Sequence, residues 1–105
     1  MKPSRKRVWM YEVTVSPLAK NDLKGIWHTT FKKWGENKAA DYLRDLDAGI
    51  QGLISNPKIG KSRDYIRAGY RSVQINRHVI YYRLEAQTIN IVRVLHERMS
   101  AENHF

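Results

Sequence analysis

The segment HVIYYRLEAQTINIVRVLH, His78 to His96, holds two runs rich in β-branched and aromatic residues on either side of a short polar link, EAQ. Branched and flat side chains pack well on a pleated surface, so each run reads as a strand, and a link this short turns the second back beside the first. The second run carries Arg93 inside an otherwise apolar strand and ends on His96. That pattern marks either a site of chemistry or an ordinary strand end, and the run alone does not choose.

Working outward, Val73 and Ile75 alternate with Ser72 and Gln74, and the link around Asn76 joins this run to the next, so the three form an antiparallel meander. A polar loop from Lys58 to about Arg67 precedes it. Further upstream the period changes to three and four. Ala39, Leu43, Leu46, Ile50 and Leu53 mark one amphipathic helix, which ends before Asn56-Pro57. Ala19, Leu23, Ile26, Trp27, Thr30 and Trp34 mark another, with Gly35 as the stop between them. Ser16-Pro17 is a helix-start signal, incomplete because Ala19 stands where a capping box wants Glu or Gln. Gly25, Gly49 and Gly52 weaken the helices, either because another element packs closely there or because weak positions are tolerated.

Ahead of the helices, Tyr11, Val13 and Val15 alternate with Glu12 and Thr14 as a first strand. The fold class is therefore α+β: an N-terminal strand, an antiparallel two-helix hairpin, and a three-stranded meander completing a small antiparallel sheet with the helices on one face. Residues 10–105 make a single domain. The basic stretch 1–9 is expected to be a disordered extension, with Met10 a candidate natural start.

The chain of 105 residues contains no cysteine, which excludes disulfides, thiolate metal sites and a cysteine nucleophile. It has no stretch approaching the ~18 to 20 apolar residues of a membrane span, and no signal-peptide core, so a cytoplasmic protein is expected. The net charge of +9 is unevenly placed. Residues 1–9 carry +4, residues 10–57 balance, and residues 58–98 carry +6. Such a field favours an anionic partner, nucleic acid or acidic protein, without selecting one.

Several candidate chemistries fail. IGKS at residues 59–62 lacks the upstream glycine of a phosphate-binding loop, since Ser55 stands there inside a helix. His28, His78, His96 and His104 show no paired ligand spacing, so no metal or cofactor is expected. No nucleophile elbow supports a Ser/His/Asp triad. What remains is a basic sheet, in which Arg71, Arg77, Arg83, Arg93 and Arg98 interleave with Tyr70, Tyr81, Tyr82, His78 and His96. A ribonuclease needs cations for a charged phosphorane and an acid for the leaving oxygen, which arginine and histidine could supply. Alternatively the arginines are solvated or pair with Asp64, Glu85 and Glu97.

The strings SPLAKNDLKGIW, KWGENKAADYLRDL, NPKIG, IRAGYRS, HVIYYR and IVRVLHERMSAENHF occur in the order and spacing seen in ParE toxins of bacterial toxin–antitoxin operons. The chain resembles that branch of the RelE/ParE superfamily over nearly all of residues 10–105. The resemblance implies a RelE/ParE-like fold and a non-enzymatic poison that traps the cleaved-DNA intermediate of DNA gyrase. It also implies a ParD-like antitoxin forming a hetero-oligomer with the toxin, and contact with nucleic acid only through gyrase. Candidate target-contact residues are Arg71, His78, Arg93, His96, Arg98 and Met99. Candidate antitoxin-binding residues are Trp27, Trp34, Tyr42 and Arg83, the tryptophans either burying in the hairpin or facing the antitoxin. Superfamily nucleases place a tyrosine or another acid/base near the C-terminal end, whereas ERMSAENHF, after His96, has no tyrosine. The alternative is a ribosome-dependent messenger-RNA nuclease using Arg71, Arg93 and His96, and a third reading is a basic nucleic-acid-binding module.

Overall fold

The computed structural model describes residues 11–105, so the basic extension 1–9 and Met10 lie outside the described residues. The elements run β1 (Glu12–Val15), α1 (Pro17–Trp34), α2 (Glu36–Ser55), β2 (Lys61–Ser62), β3 (Tyr70–Ile75), β4 (His78–Glu85) and β5 (Thr88–His96). A short 3-10 helix, Ala101–His104, follows. The five strands form one sheet in the order β1-β5-β4-β3-β2.

Two features correct the sequence reading. The sheet is mixed, because β1 pairs with β5 in parallel, Glu12 opposite Thr88 and Val15 opposite Ile91. A parallel neighbour needs a long crossover, and here both helices and three strands intervene. Second, the segment read as loop contains β2, a two-residue edge strand paired with Arg71 and Ser72 of β3. The meander itself is antiparallel, as its short links require.

Ser16 joins β1, α1 and β5. Its Oγ accepts from the Ala19 N–H at 3.1 Å, closing the first turn of α1, and donates to the Val92 carbonyl at 2.8 Å. Its own N–H donates to the Ile91 carbonyl. Gly35 ends α1 and begins α2 in one residue: its N–H donates to the Phe31 carbonyl, its carbonyl accepts from Ala39, and its φ of 90° requires glycine. The hairpin and sheet bury a shared core of Ala19, Ile26, Leu46, Ile50, Leu53, Ile80, Tyr82, Ile89, Ile91 and Val94. Each fully buried large aliphatic side chain contributes about 1.5–3 kcal/mol. Of the three helical glycines only Gly49 is explained by packing, since a Cβ there would lie 2.5 Å from Ile75, whereas Gly25 and Gly52 face open space. No described helix is long and apolar enough to cross a membrane.

Strand β5 contains a bulge. Tyr82 pairs with Ile91 but Tyr81 pairs with Arg93, so Val92 is an extra residue. The core set on β5 accordingly switches from odd numbers, Ile89 and Ile91, to even, Val94, and His96 is set opposite His78. The chain then returns, and the Phe105 ring meets Tyr70 and Tyr81 edge-on, with centroids 5.5 and 5.2 Å apart.

Candidate functional site

His78 opens β4 and His96 closes β5, so the register makes them direct cross-strand neighbours, and their rings meet at 5.2 Å in a T arrangement. Tyr42 of α2 approaches His78 edge-on at 5.4 Å. Its Oη lies 2.6 Å from His78 Nδ1 and accepts the Arg77 N–H at 3.2 Å. The hydroxyl keeps its own proton to offer to His78 Nδ1, and in that arrangement the imidazole proton sits on Nε2. Burial keeps the Tyr42 hydroxyl protonated by raising its pKa. At His96, Nδ1 accepts the Arg98 N–H at 3.1 Å, so its proton also belongs on Nε2. Burial, reinforced by the neighbouring His96, lowers the pKa of His78 and holds it neutral.

The two rings form one wall of an open cleft of about 430 Å³ between the sheet end and α1. Asn21, Gly25 and Thr29 contribute from the helix, Ile26, Val94 and Leu95 line it, and Met99 stands at its edge, 41% exposed. A pair of imidazoles with each Nδ1 engaged and the proton on Nε2 is suited to donating hydrogen bonds. Taking a proton would require the opposite tautomer.

Arg93 belongs to the architecture around this cleft. Its Nε and Nη2 donate to the two Asp22 carboxylate oxygens at 2.8 and 2.9 Å, and Nη1 donates to the His104 carbonyl at 2.9 Å. Asp22 also accepts the Val94 N–H at 2.9 Å, and both side chains are only 14% exposed. The Asp22 hydrogen bond holds the Arg93 pKa above its ordinary value. Arg93 thus ties α1, β5 and the C-terminal 3-10 helix together. Arg71 likewise braces a loop, donating to the Lys58 and Gly60 carbonyls at 3.2 and 2.9 Å. Arg98 is exposed beside His96. His78, His96 and Met99 are therefore brought together, with Arg98 adjacent, Arg93 behind them and Arg71 outside the cleft lining.

The sequence reading missed Asp22, whose signal was present: it is the one acid in α1, among four lysines. Glu97, which the sequence reading offered as a partner for the arginines, accepts from Gln74 at 2.7 Å and from Arg77 at 3.2 Å, bonds that hold its pKa below the usual carboxylate range.

A second surface lies on the hairpin. Trp34 is 66% and Phe31 46% exposed, and Trp27, half-buried, stacks on Phe31 with centroids 6.2 Å apart. Trp34, Thr30, Lys38 and Tyr42 line a hollow of about 330 Å³. Arg83 does not line it; its guanidinium pairs with Glu85 on β4. Among the described residues no group of three or more His, Asp or Glu side chains could hold a metal ion.

Residues 13–101 match the family model described as the ParE toxin of the type II toxin–antitoxin system parDE. The chain belongs to the ParE toxin family. It is 41% identical over 91 residues to Toxin ParE1 of Mycobacterium tuberculosis (strain CDC 1551 / Oshkosh), covering 86% of this chain and 93% of that one. To Toxin ParE1 of Caulobacter vibrioides it is 40% identical over 90 residues, with the same coverage of each. Among solved structures, the chromosomal ParDE toxin–antitoxin system from P. aeruginosa superposes with a TM-score of 0.73 at 20% identity, covering 84% of this chain and 97% of that one. The toxin–antitoxin complex RelBE2 from Mycobacterium tuberculosis gives 0.55 at 24% identity, covering 83% and 98%. At those identities the likeness is one of fold, and it places the toxin in the RelE/ParE-like α+β architecture.

Proposed function

We propose that this toxin poisons DNA gyrase by binding, stabilising the cleaved-DNA intermediate in the cytoplasm, and that a ParD-like antitoxin from the same operon neutralises it. The observation that carries the binding reading over RNA cleavage is the state of Arg93. A phosphoryl-transfer site needs a cation free to meet developing negative charge. Here the guanidinium donates to a carboxylate and a carbonyl, and the adjacent imidazoles have their Nδ1 atoms engaged by the Tyr42 hydroxyl and the Arg98 N–H. His78, His96, Arg98 and Met99 form the target-contact surface, and Arg93 and Arg71 position it. Residues 10–105 constitute the active unit.

The exposed Trp34 and Phe31 with Trp27 and Tyr42 form the antitoxin surface. A large apolar patch rimmed by Lys32, Lys33 and Lys38 suits an amphipathic segment carrying acidic residues. Arg83 is the weakest member, standing apart from that hollow.

The test is a plasmid supercoiling and DNA-cleavage assay with purified gyrase, ATP and the toxin, beside an RNA-cleavage control on translating ribosomes. Lost supercoiling with accumulated cleaved DNA and intact RNA is the expected result. Unaffected gyrase with cut transcripts would overturn the proposal and return Arg93 and His96 to a catalytic role. A chain beginning at Met10 should inhibit as well as the full one.

A further inference from the structure

The contact surface has a chemical preference that can be read from hydrogen bonds already spent. Each histidine has its Nδ1 engaged, by the Tyr42 hydroxyl and by the Arg98 N–H, leaving a pair of Nε2–H donors on neighbouring strands. The carboxylate in the cleft lining, Asp22, has both oxygens bonded to Arg93 and one also to Val94, so its charge is compensated. The remaining lining combines Asn21 and Thr29 with apolar Ile26, Val94, Leu95 and Met99, and contains no Phe, Tyr or Trp. Nucleotide recognition relies on stacking bases against open aromatic or guanidinium planes, and the aromatic planes in this lining are the two imidazoles, packed edge-on against each other with His78 also against Tyr42. An acceptor oxygen with an aliphatic neighbour fits both halves of the cleft.

We propose that the cleft between α1 and the His78–His96 pair binds a carboxylate bearing an apolar tail: an aspartate or glutamate of a partner protein next to an aliphatic side chain, with the two Nε2–H groups as donors. The toxin's charge of +9 selects for such an acidic segment at long range. The inference rests on the reading of this face as a target-contact surface and adds what the target must present.

Binding and protonation are linked. His78 faces His96 across the strands, Tyr42 from α2 and Arg77 at the turn, and it feels Asp22 of α1 and Glu97. An incoming carboxylate offsets the burial and the neighbouring ring that lower the pKa of His78, so His78 binds a proton more readily when the site is filled, and the ligand binds more tightly as pH falls from 7.5 towards 6.

The probe is isovalerate, a carboxylate with a branched aliphatic tail, titrated into the full chain while the imidazole nitrogens are followed by long-range 1H–15N NMR. Inorganic phosphate and a dinucleotide serve as competitors of different chemistry. Saturable shifts at both Nε2 positions are expected, with a dissociation constant on the order of 10 mM for so small a ligand, and His78 should titrate at higher pH. His96→Asn retains an acceptor for the Arg98 N–H but removes the distal donor, and should weaken binding about tenfold, the loss expected for one good hydrogen bond. Gly25→Leu, at a position where a Cβ meets nothing within 4 Å, should fill the cleft and block isovalerate without touching either histidine. Absent saturation, a response unchanged in both variants, or phosphate or the dinucleotide moving both rings at lower concentration than isovalerate would each overturn the proposal. Gyrase inhibition by the same variants separates the two readings. Unchanged inhibition beside lost isovalerate binding removes the cleft from the gyrase surface while the carboxylate site stands; no isovalerate binding sinks the site whatever gyrase does.

Discussion

Replacing Asp22 by alanine would strand the Arg93 guanidinium in a nearly closed position and orphan the Val94 N–H. Breaking one side of such a pair costs about 3–5 kcal/mol, because the surviving charge keeps its desolvation penalty. The Asp22→Ala midpoint in urea should fall accordingly. Pairing it with Arg93→Met should recover part of the loss, and a double variant as unstable as the sum of the two would mean that the pair is not coupled. His78 gives a second residue-level prediction, in pH. Its pKa is lowered in the fold, so the unfolded chain binds more protons, and stability falls as pH drops below the ordinary histidine value of about 6.5 and levels off below the folded pKa. His78→Asn keeps an acceptor for the Tyr42 hydroxyl and should flatten the slope of unfolding free energy between pH 7 and 5.5. Glu97 and Asp64, whose folded pKa values are depressed, lose their contributions only further into acid.

At the scale of elements, the β4–β5 turn holds Ala86 at φ 52°, in the left-handed region. Relieving that strain gains about 1–2 kcal/mol, offset by the larger entropy of a glycine chain when unfolded, so Ala86→Gly should stabilise by roughly 0.5–1 kcal/mol and raise Tm. Asn76, at the β3–β4 turn with φ 55°, is a residue type that tolerates the same region. The helices, their boundaries at Ser16-Pro17, Gly35 and Asn56-Pro57, and the three-stranded meander were legible in the sequence because each announces itself in a local period or a cap. The direction of β1 was not, since alternation along a strand carries no information about its neighbour. Nor was β2, whose two residues are extended only because Arg71 and Ser72 pair with them. The site suffered most from the bulge at Val92. A strict period of two would set Leu95 rather than His96 opposite His78, so the histidine pair and the inward reach of Arg93 were hidden by one extra residue. The Asp22–Arg93 bond, between residues 71 apart in the chain, was invisible for the ordinary reason that long-range pairs leave no mark on either local pattern.

Taken as a whole, the molecule places its surplus charge unevenly. Arg77, Arg83 and Arg93 are paired with Glu97, Glu85 and Asp22, whereas Lys61, Arg67 and Arg98 form no ion pair among the described residues. Association with the proposed acidic antitoxin should therefore be electrostatically steered. Raising ionic strength from about 0.05 to 0.5 M should slow the association rate roughly tenfold or more in stopped-flow, with a smaller effect on dissociation. A rate indifferent to salt would mean that apolar contact at Trp34 and Phe31 governs encounter. The parallel placement of β1 has a practical consequence at this scale. Glu12 lies beside Thr88 and bonds to Gln87, at the opposite end of β5 from His96, a separation of roughly 25 Å along a strand of nine residues. An affinity handle or fluorescent fusion joined ahead of Glu12 enters far from the histidine cleft, whereas one joined after Phe105 leaves from a ring wedged against Tyr70 and Tyr81, next to the carbonyl that holds Arg93. For immobilisation or imaging, the amino end is the one to use.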